Sequence, residues 1–229
     1  PPLLRRQRQM CIRDSSNIDI IGNIKVNSEN YVIREEVKEK IIAKLNSNKF
    51  IVVLGSSHDG EEDYVINALH DLDLVLVIAP RHPERINGVK KLLKDKGIDF
   101  SLFSEAEDGL KERVIIYDQI GSLFELYAAA DLAVVAGSIV FDKGHNFIEP
   151  IYAGTPSITG IKLKNYSELK KLLCDKGIIK TFSSQAQLRD LVNIYENSLA
   201  RQEYFQNQHA ALNDLSGSYD QVVDILNES

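Results

Sequence analysis

The run Gly144-His145-Asn146-Phe147-Ile148-Glu149-Pro150, with Ala136-Gly137-Ser138-Ile139-Val140 shortly before it, gathers groups that can hold an anion and a pair of hydroxyls. Gly144 lets the chain turn, and backbone N–H groups left free where a helix begins hold phosphate with the help of the helix dipole. Glu149, about one turn in, can accept both hydroxyls of a ribose, while His145 or Asn146 can reach a sugar or a phosphate. Taken singly, Asn146 is equally an N-cap, Glu149 a first-turn acid and His145 a surface side chain. Taken together, and with Pro80-Arg81-His82-Pro83 at a neighbouring strand end, they point to a nucleotide site.

Three other loops bear on that chemistry. Gly55-Ser56-Ser57-His58-Asp59-Gly60-Glu61-Glu62 has glycines spaced as in a P-loop, but two glutamates stand where Lys and Ser or Thr would hold phosphate and magnesium. What remains is a small-residue loop with the hydroxyls of Ser56 and Ser57 and the imidazole of His58; a plain capped turn is the alternative. In the second loop Arg81 is placed to clamp a phosphate or carboxylate in two-point fashion, or to form a salt bridge across the sheet end, with His82 beside it. Arg85, a turn further on, is expected to pair with surface acids. The third, Asp118-Gln119-Ile120-Gly121-Ser122-Leu123, passes into a helix through a glycine that lets a ligand ring approach the backbone at Ile120 and Gly121. Asp71-Leu72-Asp73 has the spacing of a metal-binding acidic pair yet precedes its strand, and the five histidines never pair at ligand spacing, so no metal site and no cofactor are expected.

Such loops need a scaffold that aims them at one place. Short apolar runs at 50–54, 73–79, 100–103, 114–117, 132–136 and 155–159, and a weaker one at 178–182, alternate with helical stretches near 34–46, 61–70, 83–96, 121–130, 146–153 and 165–176. Continuous β-branched runs such as Ile51-Val52-Val53-Leu54 are the pattern of strands covered on both faces. Regular alternation of strand and helix predicts an α/β fold, a Rossmann-like doubly wound parallel sheet whose ligands bind outside the carboxyl ends of the strands. Two more helical stretches, 184–198 and roughly 200–227, close the chain.

The first fifteen residues, PPLLRRQRQMCIRDS, differ from the rest: four arginines, one acid, no periodicity and no apolar core of a targeting peptide. They read as non-native adapter or assembly sequence. Without them, 27 basic and 33 acidic residues become 23 and 32, so the net charge moves from −6 to −9, which argues against a nucleic-acid partner. No apolar run approaches the roughly 20 residues of a membrane span. Two cysteines, Cys11 and Cys174, without ligand spacing suit a reducing, cytoplasmic setting. The expected organisation is residues 1–15 as the non-native segment, 16–33 as the remnant of an inter-domain connection, 34–182 as the nucleotide-sugar-binding domain, and 183–229 as helices packing on it.

From about Gly22 to Tyr166 the chain resembles the Kdo transferases, which pass 3-deoxy-D-manno-octulosonic acid (Kdo) from CMP-Kdo to lipid A. The blocks occur in the family's order: Ser56 to Glu62, Ala79 to Arg85, Ile120 to Leu123, Gly137 to Val140 and Gly144 to Pro150. Three departures stand out: Lys143 in place of a second glycine, Ser57 in place of threonine, and Ile161-Lys162-Leu163-Lys164 in place of a stretch rich in Pro and His. The resemblance implies the C-terminal, donor-binding half of a GT-B glycosyltransferase. It implies CMP-Kdo contacts from Ser56, Ser57, His58, Arg81, His82, Ile120, Gly121, Ser138, Gly144, His145, Asn146 and Glu149. It further implies inverting, metal-independent transfer at the cytoplasmic face of the inner membrane. The lipid A precursor, the membrane contact and the general base would belong to an N-terminal domain this sequence does not include. No catalytic residue is therefore expected here, and the fragment alone is expected to be inactive. Two rivals remain: the donor-binding half of another GT-B enzyme using a UDP-sugar, 2-epimerases included, and a non-catalytic nucleotide-binding domain.

Overall fold

The computed structural model describes residues 31–45, 47–105, 111–142, 146–162, 173–204 and 207–208. Lys143, Gly144 and His145, residues 165–172 of the expected 165–176 helix, everything before Tyr31 and most of the final expected helix lie outside them.

Seven parallel strands form one sheet: β1 Phe50–Ser57, β2 Leu74–Pro80, β3 Phe100–Leu102, β4 Val114–Ile116, β5 Leu132–Val135, β6 Ser157–Gly160 and β7 Ile179–Phe182, in the order β3-β4-β2-β1-β5-β6-β7. Every expected strand is present. Strands β2 to β4 lie on one side of β1 and β5 to β7 on the other, so the winding direction reverses between β1 and β5. That reversal opens a crevice at the strand ends, the place where open α/β sheets take their ligands.

Alternate residues of the central strands serve opposite faces. Val52, Leu54, Leu76, Ile78 and Val134 join one buried cluster, whereas Val53, Val75, Val77, Ile115 and Ala133 join the other. The first face is covered by α2 (Glu61–Leu69), α3 (Ile86–Asp95), α5 (Ile148–Tyr152) and α6 (Gln185–Glu196) through residues such as Ile66, Leu93, Ile151 and Leu188. The second is covered by α1 (Glu35–Leu45) and α4 (Leu123–Ala128) through Ile41, Leu45, Leu126 and Tyr127. Each such side chain contributes about 1.5–3 kcal/mol on burial, and two-sided burial explains why the runs in β1, β2, β4 and β5 are apolar.

Helix boundaries move where local chemistry intervenes. The 83–96 stretch splits into a 3-10 turn, Pro83–Arg85, opened by its proline, and then α3. The 146–153 stretch keeps only five helical residues, because Asn146 folds its side chain over the helix start and accepts from the Ile148 N–H at 3.1 Å. Residues 173–175, 198–204 and 207–208 are helical. Asp71 and Asp73 stand at the opposite edge of the sheet from the loops, Asp71 on Arg189 at 2.6 Å and Asp73 on Lys49. No helix among the described residues is long and apolar enough to cross a membrane.

Candidate functional site

At the carboxyl end of β1 the ladder with β2 slips by one residue between Gly55 and Ser57. Ser56 is the extra residue, with φ +56°, the one positive φ outside glycine among the described residues. A bulge with its odd residue in the left-handed region normally uses glycine. Here a serine takes it and lines a pocket of about 160 Å³ with Arg81, Tyr117, Asp118, Ile120 and Gly121. That volume holds a single ring system rather than the roughly 300–1,000 Å³ of a whole small-molecule site. Arg81 is exposed, and its backbone N–H donates to the Ser57 carbonyl at 3.0 Å, which fixes where the guanidinium leaves the sheet. Ile120, 83% exposed, forms an apolar lip. Gly121, with φ +77°, takes the left-handed turn that leads into α4, and its carbonyl accepts from Arg34.

Ser57 and Ser138 face inward instead. Ser57 donates its hydroxyl to Glu62 at 3.1 Å. The Ser138 hydroxyl lies 2.7 Å from that of Thr159 and accepts from the Gly160 N–H at 2.8 Å, which ties the β5 loop to β6. The His58 ring packs 5.9 Å from His82 and 5.8 Å from Phe141, so the two imidazoles form a pair beside Arg81.

The glutamates that break the P-loop pattern hold the loops together. Glu61, fully buried, receives the Gly137 N–H on both oxygens (2.8 and 2.9 Å) and the Ile139 N–H at 3.1 Å. Glu62 is buried beside Arg85, which bridges it at 3.3 Å to the exposed Asp59 at 2.9 Å. Burial pushes the Glu62 carboxyl above its ordinary range, against the pull of Arg85. Arg85 thus pairs with one surface acid, as expected, and with one buried acid.

Glu149, half-buried at the start of α5, feels the charge of Arg81. Burial raises its pKa, while the Asn146 amide, at 3.2 Å, and the positive charge of Arg81 pull the other way. Beneath it, the phenol of Tyr127 is buried against Gly55: a Cβ on Gly55 would stand 1.8 Å from that hydroxyl. Asp118 is held by Ser104, whose hydroxyl and N–H donate at 2.5 and 2.9 Å.

Two residues have no counterpart in the loops singled out by sequence. Tyr31 stacks on Tyr152, with centroids 4.5 Å apart and planes 9° apart, and its hydroxyl accepts from Asn146 at 3.1 Å. Arg34 grips Glu125 at 2.7 and 2.8 Å and donates to the Gly121 carbonyl at 2.5 Å. The structure thus gathers Ser56, Arg81, Ile120 and Gly121 around one pocket, joins Glu149 to Asn146 outside its lining, and leaves Ser57 and Ser138 inside the scaffold; Gly144 and His145 are not among the described residues.

No family model matches the chain. It is 30% identical over 219 residues, 91% of its length, to a 3-deoxy-D-manno-octulosonic acid transferase of Haemophilus influenzae, and 30% identical over 96% to one of Chlamydia muridarum. The chain spans about half the length of these curated relatives, 51% and 53%. Among solved structures, the C-terminal CMP-Kdo binding domain of WaaA from Acinetobacter baumannii superposes with a TM-score of 0.70 at 24% identity, over 77% of this chain and 98% of that one. Anabaena HepE in complex with UDP-glucose gives 0.61 at 15% identity, over 89% and 56%. The fold is that of the C-terminal half of GT-B glycosyltransferases.

Proposed function

We propose that this chain, a homologue of the 3-deoxy-D-manno-octulosonic acid transferases, binds the CMP portion of CMP-Kdo as the donor half of a lipopolysaccharide-building glycosyltransferase. The observation that carries the reading is that Arg81, a cation suited to phosphate, lines the pocket at the strand ends and its charge acts on Glu149, a carboxylate suited to ribose hydroxyls. The ring-sized pocket between Ser56 and Ile120 takes the base or the sugar ring next to them.

On this reading Arg81, with the His58–His82 pair beside it, stabilises charge growing on the departing phosphate, which is where fixed positive groups accelerate transfer most. Glu149 fixes the ribose. Transfer is inverting, a single displacement of CMP by the acceptor hydroxyl, and needs no metal, since Arg81 supplies the positive charge for the leaving phosphate. The acceptor, a lipid A precursor, and the base that deprotonates it lie outside the described residues, so the chain by itself binds CMP and transfers nothing. Residues 34–182 form the donor-binding unit on this view, with 183–229 packed against it.

Isothermal calorimetry with CMP and UDP, on the native chain and on Glu149→Ala, tests the reading. CMP is expected to bind more tightly than UDP, and Glu149→Ala to weaken CMP about tenfold or more. Equal binding in all four titrations would sink it. The UDP-sugar alternative is favoured if the nucleotide order reverses.

A further inference from the structure

We infer that Tyr31 is a positioning residue for ribose recognition, acting on Glu149 through Asn146; this rests on the reading of Glu149 given above. The Asn146 side chain is the hub. Its amide nitrogen donates to the Tyr31 hydroxyl at 3.1 Å and to Glu149 Oε1 at 3.2 Å, and its oxygen accepts from the Ile148 N–H at 3.1 Å. With the oxygen committed to the helix backbone, both amide hydrogens have a single arrangement: one on Tyr31, one on Glu149.

The same amide thereby holds Glu149 Oε1 and leaves the second carboxylate oxygen for a ligand hydroxyl. Without the Tyr31 acceptor, one of the three bonds that fix the amide plane is lost; its last torsion is a soft one, so the hydrogen bond that aims Glu149 is less well directed.

Tyr31 is itself held firmly. Its ring stacks on Tyr152 and meets Phe124 at 5.6 Å. Three residues on, Arg34 is bound in two-point fashion to the buried Glu125, whose side chain is only 3% exposed. The short stretch 31–34 therefore reaches both walls of the site, Gly121 through Arg34 and Glu149 through Tyr31. Nothing in the sequence of this stretch marks it as part of a site. Its role follows from where α4 and α5 meet it.

The test compares CMP with 2′,3′-dideoxycytidine monophosphate, which keeps the base and phosphate but has no ribose hydroxyls for a carboxylate to accept. Affinities are measured by calorimetry for the native chain, Tyr31→Phe and Glu149→Gln. Tyr31→Phe preserves the stacking and removes only the hydroxyl. It is expected to lower the preference for CMP over the dideoxy analogue about three- to tenfold, with the affinity for the analogue and the melting temperature unchanged. An equal loss for both nucleotides would mark a general packing role and overturn the inference. If Glu149→Gln collapses the preference while Tyr31→Phe leaves it intact, the inference fails and the ribose reading stands. If Glu149→Gln also leaves it intact, the ribose reading fails and takes the inference with it.

Discussion

Glu61 lies beneath the amide of Gly137 with one carboxylate oxygen at 2.8 Å and the other at 2.9 Å, seventy-six positions away in sequence. The contact joins the start of α2 to the loop after β5 across the reversal in the sheet. It also fills with a negative charge the backbone donors that an incoming anion would otherwise use, which leaves Arg81 as the cation facing the crevice. Glu61→Ala removes the acceptor of three backbone N–H groups, Gly137, Ile139 and His58, so a loss of about 2–4 kcal/mol is expected in urea unfolding. Glu61→Gln, which keeps one acceptor, is expected to recover part of it. Equal stability of all three proteins would contradict the role.

Ser56 trades stability for placement. A non-glycine residue in the left-handed region costs on the order of 1 kcal/mol. Ser56→Gly is therefore expected to melt at the native temperature or slightly above it, yet to bind CMP several-fold more weakly because the pocket loses a hydroxyl. Ser56→Ala keeps the strain and loses the same hydroxyl, so it should bind as weakly without the gain in melting temperature.

Glu149 should titrate above the ordinary glutamate value of about 4.3, since burial raises it. For a carboxyl whose folded pKa is raised, stability is greatest below the unfolded value and declines as pH rises through the folded one. Carbon-13 NMR of the labelled carboxyl is expected to show this raised midpoint. Asn146→Ala removes a hydrogen bond that favours the ionised form and should move the midpoint further up; a downward move would refute the assignment of that bond.

Glu125 behaves in the opposite sense, because the hydrogen bond from Arg34 holds its carboxyl below the usual range. Its contribution is complete above the unfolded value near about 4.3 and is lost as pH falls through the lowered folded value. Arg34→Gln should abolish that part of the acid dependence, measured by thermal melts between pH 6 and 3.

The tight fit of Tyr127 beneath β1 gives a fifth test. A methyl group added at Gly55 would meet the Tyr127 hydroxyl at 1.8 Å and its ring carbon at 2.5 Å. Gly55→Ala is expected to destabilise by about 1–3 kcal/mol, and Tyr127→Phe should not rescue it, since the ring carbon remains in the way.

The sheet was legible because its central strands are buried on both faces, which forces runs such as Val75-Leu76-Val77-Ile78 that no amphipathic helix would carry. Ser56, Arg81, Ile120 and Gly121 were legible because they follow strand ends, and the strand ends meet at one place. The supporting polar groups were not. Glu61 and Glu62 look like ordinary first-turn acids, and only the distant partners Gly137 and Arg85 reveal them as buried anchors. Ser57 and Ser138 have the same local signature as Ser56, but the bulge turns Ser56 alone toward the pocket. Tyr31 and Arg34 fall in a stretch whose local sequence resembles a connector, because their partners lie 87 to 115 positions further on.

The stretch 31–34 also acts as a clasp between two helices that are not neighbours in sequence. Arg34 holds α4 through Glu125, and Tyr31 holds the start of α5 through Asn146 and Tyr152. Loosening either end therefore slackens the other, so the two helix starts respond to a perturbation as one unit.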